Sequence, residues 1–468
     1  MTEDSAIKMD STKTERIINN ISGEAQRDYL AEYDAAAEAD KYPLVKLWMQ
    51  TEPLPFFKQL RQERPILVTP ECTLLALAED VRDALQMPTI FTAQLYRSKM
   101  GVRKNNPGYM TANDDNALST REKAIMQMLL DRNDLPYIRQ LIADAARTIL
   151  QNANGRIDAV NEYCRRLPVI LVQQYFGLDG VAEKKLMNWS FWNQYDSFYN
   201  HPFDLRSKED SQRISGEYIS CSKEFIQYLK SLILRKLIHV KLRDPLLKLL
   251  FKFINPLLTV VGQKPKAVSD DIVKRMLRTG FVEQVNFPMK RMGMNIGGLL
   301  VGTIETTAKS AAQVIQFFIR HPELLVQAKL AAAKDDVTEI DNMVWEALRF
   351  VPISPYLFRT MGQDYTIAVG TDREMTLQQG TTVLPLTQSA MFDPANYESP
   401  DEYNPDRNWY RHFAYGFGAH ECLGKYIGMV MLPEMVRHIL LCDDLNAEAP
   451  IDYQGGPFPE KYILNWSC

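Results

Sequence analysis

Paired cysteines are missing from this chain. Its six cysteines, Cys72, Cys164, Cys221, Cys422, Cys442 and Cys468, stand far apart, and none shares a Cys-x-x-Cys spacing. Structural zinc sites need that spacing and disulfide frameworks need a dense even set, so neither is expected, and a reducing compartment is. An excess of one charge is missing too. The 54 basic and 58 acidic residues leave a net charge of −4, which gives no reason to expect nucleic acid as a partner. The first forty or so residues are polar and mixed in charge, without the apolar core of a signal peptide or membrane anchor, so a cytoplasmic location is expected. No flavin-binding or iron–sulfur pattern occurs. What is present is an ordinary globular composition, 46% hydrophobic and 24% charged, over 468 residues.

Read in order, the chain suggests a helical or loosely ordered arm over residues 1–45 and one domain over 46–468. Phe56, Phe57 and Leu60 make an amphipathic turn before a short strand at Pro65–Val68. Leu74 to Leu77 continues strand-like, ahead of a helix near Glu79 to Leu85. Phe91 to Asn116 is irregular. Helical patterns follow from about Ser119 to Leu130, with Ser119 and Glu122 at capping-box spacing, and from Asp134 to Gln151. Further helices fill 158–240, with a polar break near His201–Glu209. Lys223 to Lys266 carries ten basic residues against two acidic ones, interleaved with Leu, Ile and Phe. The run Leu246–Ile254 within it reads either as a helix covering the core with snorkelling lysines or as one meeting a membrane interface or an acidic protein surface.

The most informative stretch is Tyr415-Gly416-Phe417-Gly418-Ala419-His420-Glu421-Cys422-Leu423-Gly424, directly before an apolar helical pattern. Glycines let a flat ligand approach the backbone, and N–H groups at a helix start stabilise negative charge on sulfur. Both suit a cysteine that stays thiolate while it ligates a metal. The bland reading is a buried free cysteine at a Gly-rich helix start. The stretch resembles the heme-binding loop of the cytochrome P-450 family, Phe-Gly-x-Gly-x-His/Arg-x-Cys-x-Gly. Tyr415 stands at the leading phenylalanine, while Gly416, Gly418, His420, Cys422 and Gly424 match. The resemblance, to the bacterial soluble type, implies a mainly α fold with small β-sheets enclosing heme b. It implies Cys422 as the axial iron ligand and His420 beside a heme propionate.

After Pro288 a long apolar pattern runs to Arg320, interrupted by Gly302-Thr303-Ile304-Glu305-Thr306-Thr307. Each polar group in such a helix must find a partner, and glycine with hydroxyls can open the backbone ladder and admit water. The pattern is similar to the family's Ala/Gly-Gly-x-Asp/Glu-Thr-Thr/Ser motif, here with Thr303 in place of a glycine. The similarity implies that Thr306 hydrogen-bonds dioxygen, that Glu305 joins a proton path, and that Gly302 and Thr303 face the substrate.

Glu346 and Arg349 lie three apart on one helical face. The resemblance makes them a buried framework with Arg407. It also places Arg359, thirteen residues past Glu346, on a propionate, with Lys123 a second candidate anchor. Ile353, Ser354, Tyr356 and Phe458 are expected to line the substrate. The activity implied is a monooxygenase hydroxylating or epoxidising a small apolar substrate, with electrons from a ferredoxin-type or other separate donor docking near Cys422, where Lys425 would help. A peroxide-using, isomerising or dehydrating heme-thiolate enzyme is the alternative, and a non-catalytic heme-binding protein the third reading.

Overall fold

The structure, a computed structural model, describes residues 27–114 and 116–467; the first 26 residues of the expected arm lie outside them. The chain divides into two compact units, Met1–Thr92 with Asn342–His420, and Ala93–Asp341 with Glu421–Cys468. Helices dominate and the sheets are small.

The first unit is built around a five-stranded sheet. Its strands are β1 (Ile66–Val68), β2 (Thr73–Leu75), β3 (Phe91–Thr92), β4 (Arg359–Met361) and β5 (Thr382–Pro385), in the spatial order β1-β2-β5-β4-β3. β2 and β5 run parallel with Leu74 opposite Leu384, and the other pairs are antiparallel. Strands this short hold only because a core covers them: Leu75, Val81, Phe91, Met361, Val383 and Phe392 pack into one cluster. The helix Ala78–Gln86 contributes Val81, Ala84 and Leu85 to it. Gly418 approaches that helix so closely that a Cβ would lie 2.6 Å from the Leu85 carbonyl oxygen, and its φ is +69°. Only glycine fits there.

The second unit is helical. Its main elements are α1 (Ala117–Leu129), α2 (Leu135–Asn152), α3 (Glu183–Tyr199), α4 (Lys208–Ile238), α5 (Asp244–Val260), α6 (Met289–Arg320) and α7 (Lys425–Leu440). A three-stranded sheet joins Asn446–Ala447, Ile463–Asn465 and Arg156–Asp158. The 32-residue α6 is central and packs on α3 and α7. Its buried Met292, Ile296, Leu300, Ile304, Ala308, Ala311 and Ile315 recur every three or four residues, the spacing of one helical face.

Three expectations change. First, α1 starts at Ala117 rather than Ser119. Asn116 caps it by accepting from the N–H of Ser119 at 2.9 Å, and the Ser119 hydroxyl completes the box with the Asn116 N–H at 3.1 Å. Glu122 plays no capping part: it is fully buried and binds Arg291 at 2.6 Å and Asn295 at 3.0 Å on α6. Second, α6 stays helical throughout. The Thr303 hydroxyl donates to the Leu299 carbonyl at 2.7 Å and Thr306 to that of Gly302 at 2.6 Å, so these hydroxyls satisfy themselves on the helix without opening it. Third, Lys223–Lys266 spans two helices, and the run Leu246–Ile254 lies in the second with only part of its surface covered. Lys223–Ile238 belongs to α4, which buries Phe225, Leu229 and Leu232, whereas α5 buries only Asp244.

Candidate active site

Cys422 precedes α7 by three residues, and among the described cysteines it is the only exposed one. Burial lifts the Cys72 thiol to about 12, which keeps it protonated. At Cys422 dense packing on the closed sides also raises the thiol, against a hydrogen bond from the Gly424 N–H and the pull of the Lys123 and Lys425 ammonium groups. An accessible sulfur with an amide donor and two nearby cations has the electrostatics a metal thiolate needs. Gly302 adds room on α6, where a Cβ would meet nothing within 4 Å. These residues therefore fit a heme-thiolate centre. Burial lowers the Lys123 ammonium, opposed by Glu421 and Cys422, which places this lysine among the charges around the sulfur.

Gly302, Thr303 and Thr306 fall on the open side of α6, while Glu305 is 1% exposed. Adjacent helical residues point about 100° apart, so the acid and the alcohol serve different surroundings. Glu305 accepts from Arg165 Nε at 3.0 and 3.2 Å. Arg165 also donates to Asn161 at 2.7 Å, to the Pro459 carbonyl at 2.9 Å and to Glu460 at 3.4 Å. Burial pushes the Glu305 carboxyl up to about 7 even with Arg165 pulling it down. Sequence reasoning missed Arg165. The available signal was general: an acid inside an apolar helix requires a cation, but nothing names which one.

Tyr109 was missed as well. Its ring fills the notch at Gly298, where a Cβ would lie 2.6 Å from the Tyr109 hydroxyl, and the negative end of Cys422 is near enough to raise its phenol further. The preceding Gly108 is tied to α6 because its carbonyl accepts from Arg291 at 2.7 Å. The glycine pair Gly297–Gly298 in an apolar helix was the legible hint. Phe458 is 1% exposed and packs against Phe191, Tyr195 and Tyr199 in an aromatic cluster.

In the first unit, Arg359 is buried at the start of β4 and donates to the Phe358 carbonyl at 2.8 Å. His420 ends a 3₁₀ turn that begins at Gly418. Tyr415 stacks obliquely on Trp345 with centroids 5.7 Å apart, and Gly416 follows with φ +70°. Ile353, Ser354 and Tyr356 are half-buried, and the Ser354 hydroxyl donates to the Tyr356 carbonyl at 2.7 Å. The framework residues meet. Arg349 binds Glu346 through two nitrogens at 2.6 and 3.1 Å, and Arg407 reaches the same carboxylate at 3.2 Å. The Asn404 N–H adds a fourth donor at 3.0 Å. Arg349 also donates to the carbonyls of Met391, Pro400 and Glu402, so one buried charge cluster staples the loop that follows Ala390 to the helix carrying Glu346 and Arg349.

A poised, accessible cysteine before a helix, in a chain of this fold, is the chemistry of heme-thiolate enzymes. The family profile described as Cytochrome P450 matches residues 183–442, more than half the chain, which therefore belongs to that family. Pulcherriminic acid synthase of Bacillus subtilis (strain 168) is 23% identical over 86% of this chain and 91% of its own length. Steroid C26-monooxygenase of Mycolicibacterium smegmatis is 24% identical over 78% and 82%. In fold, the Acinetobacter radioresistens CYP116B5 heme domain matches with a TM-score of 0.69 at 16% identity, covering 90% of this chain and 95% of that one. Bacillus subtilis CYP109B1 matches at 0.67 and 17%, covering 88% and 99%. The chain is thus a cytochrome P450 oxidoreductase, and its cofactor is heme b.

Proposed function

We propose that this enzyme is a monooxygenase that inserts one atom of dioxygen into a small apolar substrate and receives two electrons from a separate ferredoxin-type carrier. The observation that carries the reading is the buried Glu305–Arg165 pair one residue before Thr306. Heme b held by a cysteine thiolate supplies reductive dioxygen activation, with electron density that favours O–O cleavage. Cys422 offers the sulfur, steadied by the Gly424 N–H. Lys123, Arg359 and His420 supply charge and hydrogen bonds for the cofactor's carboxylates, and Tyr415, Gly416 and Gly424 shape the loop around it.

Glu305 holds or releases its proton near neutral pH, because burial lifts its carboxyl to about 7. That is the range in which a general acid works best. Arg165 links this acid to Glu460, whose side chain is 27% exposed, so the buried carboxyl communicates with the surface through one guanidinium. With its own hydrogen directed at the Gly302 carbonyl, Thr306 Oγ1 presents lone pairs to the open side of α6 and orients a proton donor there. Gly302 leaves room for substrate beside Thr303, and the resemblance to the family assigns Ile353, Ser354 and Tyr356 to the substrate as well. Lys425, expected to help dock the donor, is engaged by Glu421 at 2.6 Å. Arg132, stacked 3.7 Å over Tyr426, is a second cation on that side of α7.

The test is the absorption spectrum of the reduced protein with carbon monoxide, followed by turnover. A strongly red-shifted Soret band and product only with dioxygen and a reductase system support the proposal. An imidazole-type band, or full turnover with peroxide alone, overturns it.

A further inference from the structure

The exposed face of α5 has no place in oxygen chemistry. The backbone stays right-handed helical through Ile238, His239, Arg243 and Asp244, so α4, a π-helical turn (His239–Arg243) and α5 make one continuous helical run. Its root is fixed by buried charge: Lys236 binds Asp271 at 2.8 Å, and Lys274 binds Asp244 at 3.1 Å. Beyond Asp244 no side chain of α5 is buried.

Leu246, Leu249, Leu250, Phe253, Leu257 and Val260 recur at three- and four-residue steps and fall within about 120° of one helical face. They face solvent, with Leu246 67%, Phe253 68% and Val260 86% exposed. Leu234, Ile238 and Leu242, also exposed, lead into this stripe at steps of four, a spacing the wider π turn preserves. Leu247, Phe251, Ile254 and Leu258 are half-buried on another side. Lys248 and Lys252 lie on the other side of the stripe from those half-buried residues, about 60–100° past its edge, and both are exposed. From residue 245 to 266 there are four lysines and no acid. The Asn255 side chain bonds the Lys266 N–H at 2.8 Å and its carbonyl at 2.9 Å, which holds Lys264 and Lys266 beside the same helix.

We infer that α5 is an interfacial helix that docks the enzyme on an anionic lipid surface, its leucines and Phe253 sinking to the acyl boundary while the lysines meet headgroup charge. An outward apolar arc bordered by lysines is the arrangement such helices use. Charge decides against a second copy of the chain as the occupant. Two α5 faces packed together would leave the lysines of both helices without counter-charge, because residues 245 to 266 hold no acid, whereas an anionic bilayer satisfies both the apolar arc and the cations. Attachment is peripheral, since among the described residues no helix is long and apolar enough to cross a membrane.

The experiment is co-sedimentation of the holoenzyme with vesicles of phosphatidylcholine, with and without phosphatidylglycerol, at low and high salt. Wild type binds the phosphatidylglycerol vesicles and is released in part by salt. Phe253→Glu with Leu257→Glu, and separately Lys248→Glu with Lys252→Glu, each weaken binding by roughly tenfold or more, while the reduced carbon monoxide spectrum stays that of wild type. No binding, or binding that both variants retain, overturns the inference. So does a dimer in solution that the Phe253→Glu and Leu257→Glu variant dissociates while vesicles stay bare, which would make this face a contact between copies.

Discussion

Arg165 Nε lies 3.0 Å from Glu305 Oε2, and both side chains are withdrawn from solvent. The pair joins α6 to a guanidinium 140 residues earlier in the chain. Removing one member of such a pair leaves a buried charge uncompensated, at about 3–5 kcal/mol. Arg165→Ala should therefore lose stability of that order in urea unfolding, and Arg165→Lys less. A loss within about 0.5 kcal/mol, the range of ordinary surface substitutions, would show that the pair is not buried in solution.

The Glu305 carboxyl gives a pH signature. Its native value of about 7 stands above its ordinary 4.5, so the native state binds more protons than the unfolded state between those limits. Stability relative to Glu305→Gln is then highest below about 4.5, falls as pH rises to about 7, and is level beyond it. The difference in melting temperature between wild type and variant across pH checks this. A difference that does not change with pH would refute the shift.

Thr306→Ala removes a hydroxyl that bonds back to its own helix at the Gly302 carbonyl. Heme content should stay unchanged while product per reductant consumed falls, by about 10²-fold if the hydroxyl takes part in proton transfer, and peroxide release rises. Unchanged coupling would remove the role assigned to it.

Gly298→Ala would drive a methyl group into the Tyr109 ring. Overpacking of this kind costs about 1–3 kcal/mol, and Tyr109→Ala in the same chain should recover most of it. Urea unfolding of the two single variants and the double variant measures the coupling. Strictly additive losses would mean that the two residues do not touch.

Glu346→Ala strands Arg349 and Arg407 beside a vanished carboxylate, with Arg349 itself fully buried. The expected loss is again about 3–5 kcal/mol. Arg407→Lys, which surrenders the fork that also serves the Ser399 and Glu402 carbonyls, should cost less but still measurably. Equal, negligible losses in thermal scans would contradict a stapling role.

Much of this enzyme was legible because the determining physics is local. The course of α6 from Met289 to Arg320 follows from apolar periodicity and a preceding proline, and it was read to the residue at its C-terminus. Cys422 stood out through its glycines, two of which, Gly416 and Gly418, carry the positive φ that motif requires. Glu346 with Arg349 was visible as a helical i,i+3 pair.

Partners and faces were decided only by the tertiary structure. Nothing near Glu305 in the chain indicates Arg165, and nothing near Glu122 indicates Arg291, 169 residues away. A buried charge demands a counter-charge, but packing chooses it. The same holds for α5, whose periodicity declares an apolar face without saying whether protein covers it. Nor does the chain around Phe458 name Phe191, Tyr195 and Tyr199, whose rings pack on it. Sequence by itself determined the glycine-framed cysteine, the long helix and the family, because short-range geometry encodes them. Which side chains meet and which stay in water emerged only when distant segments competed for the same space.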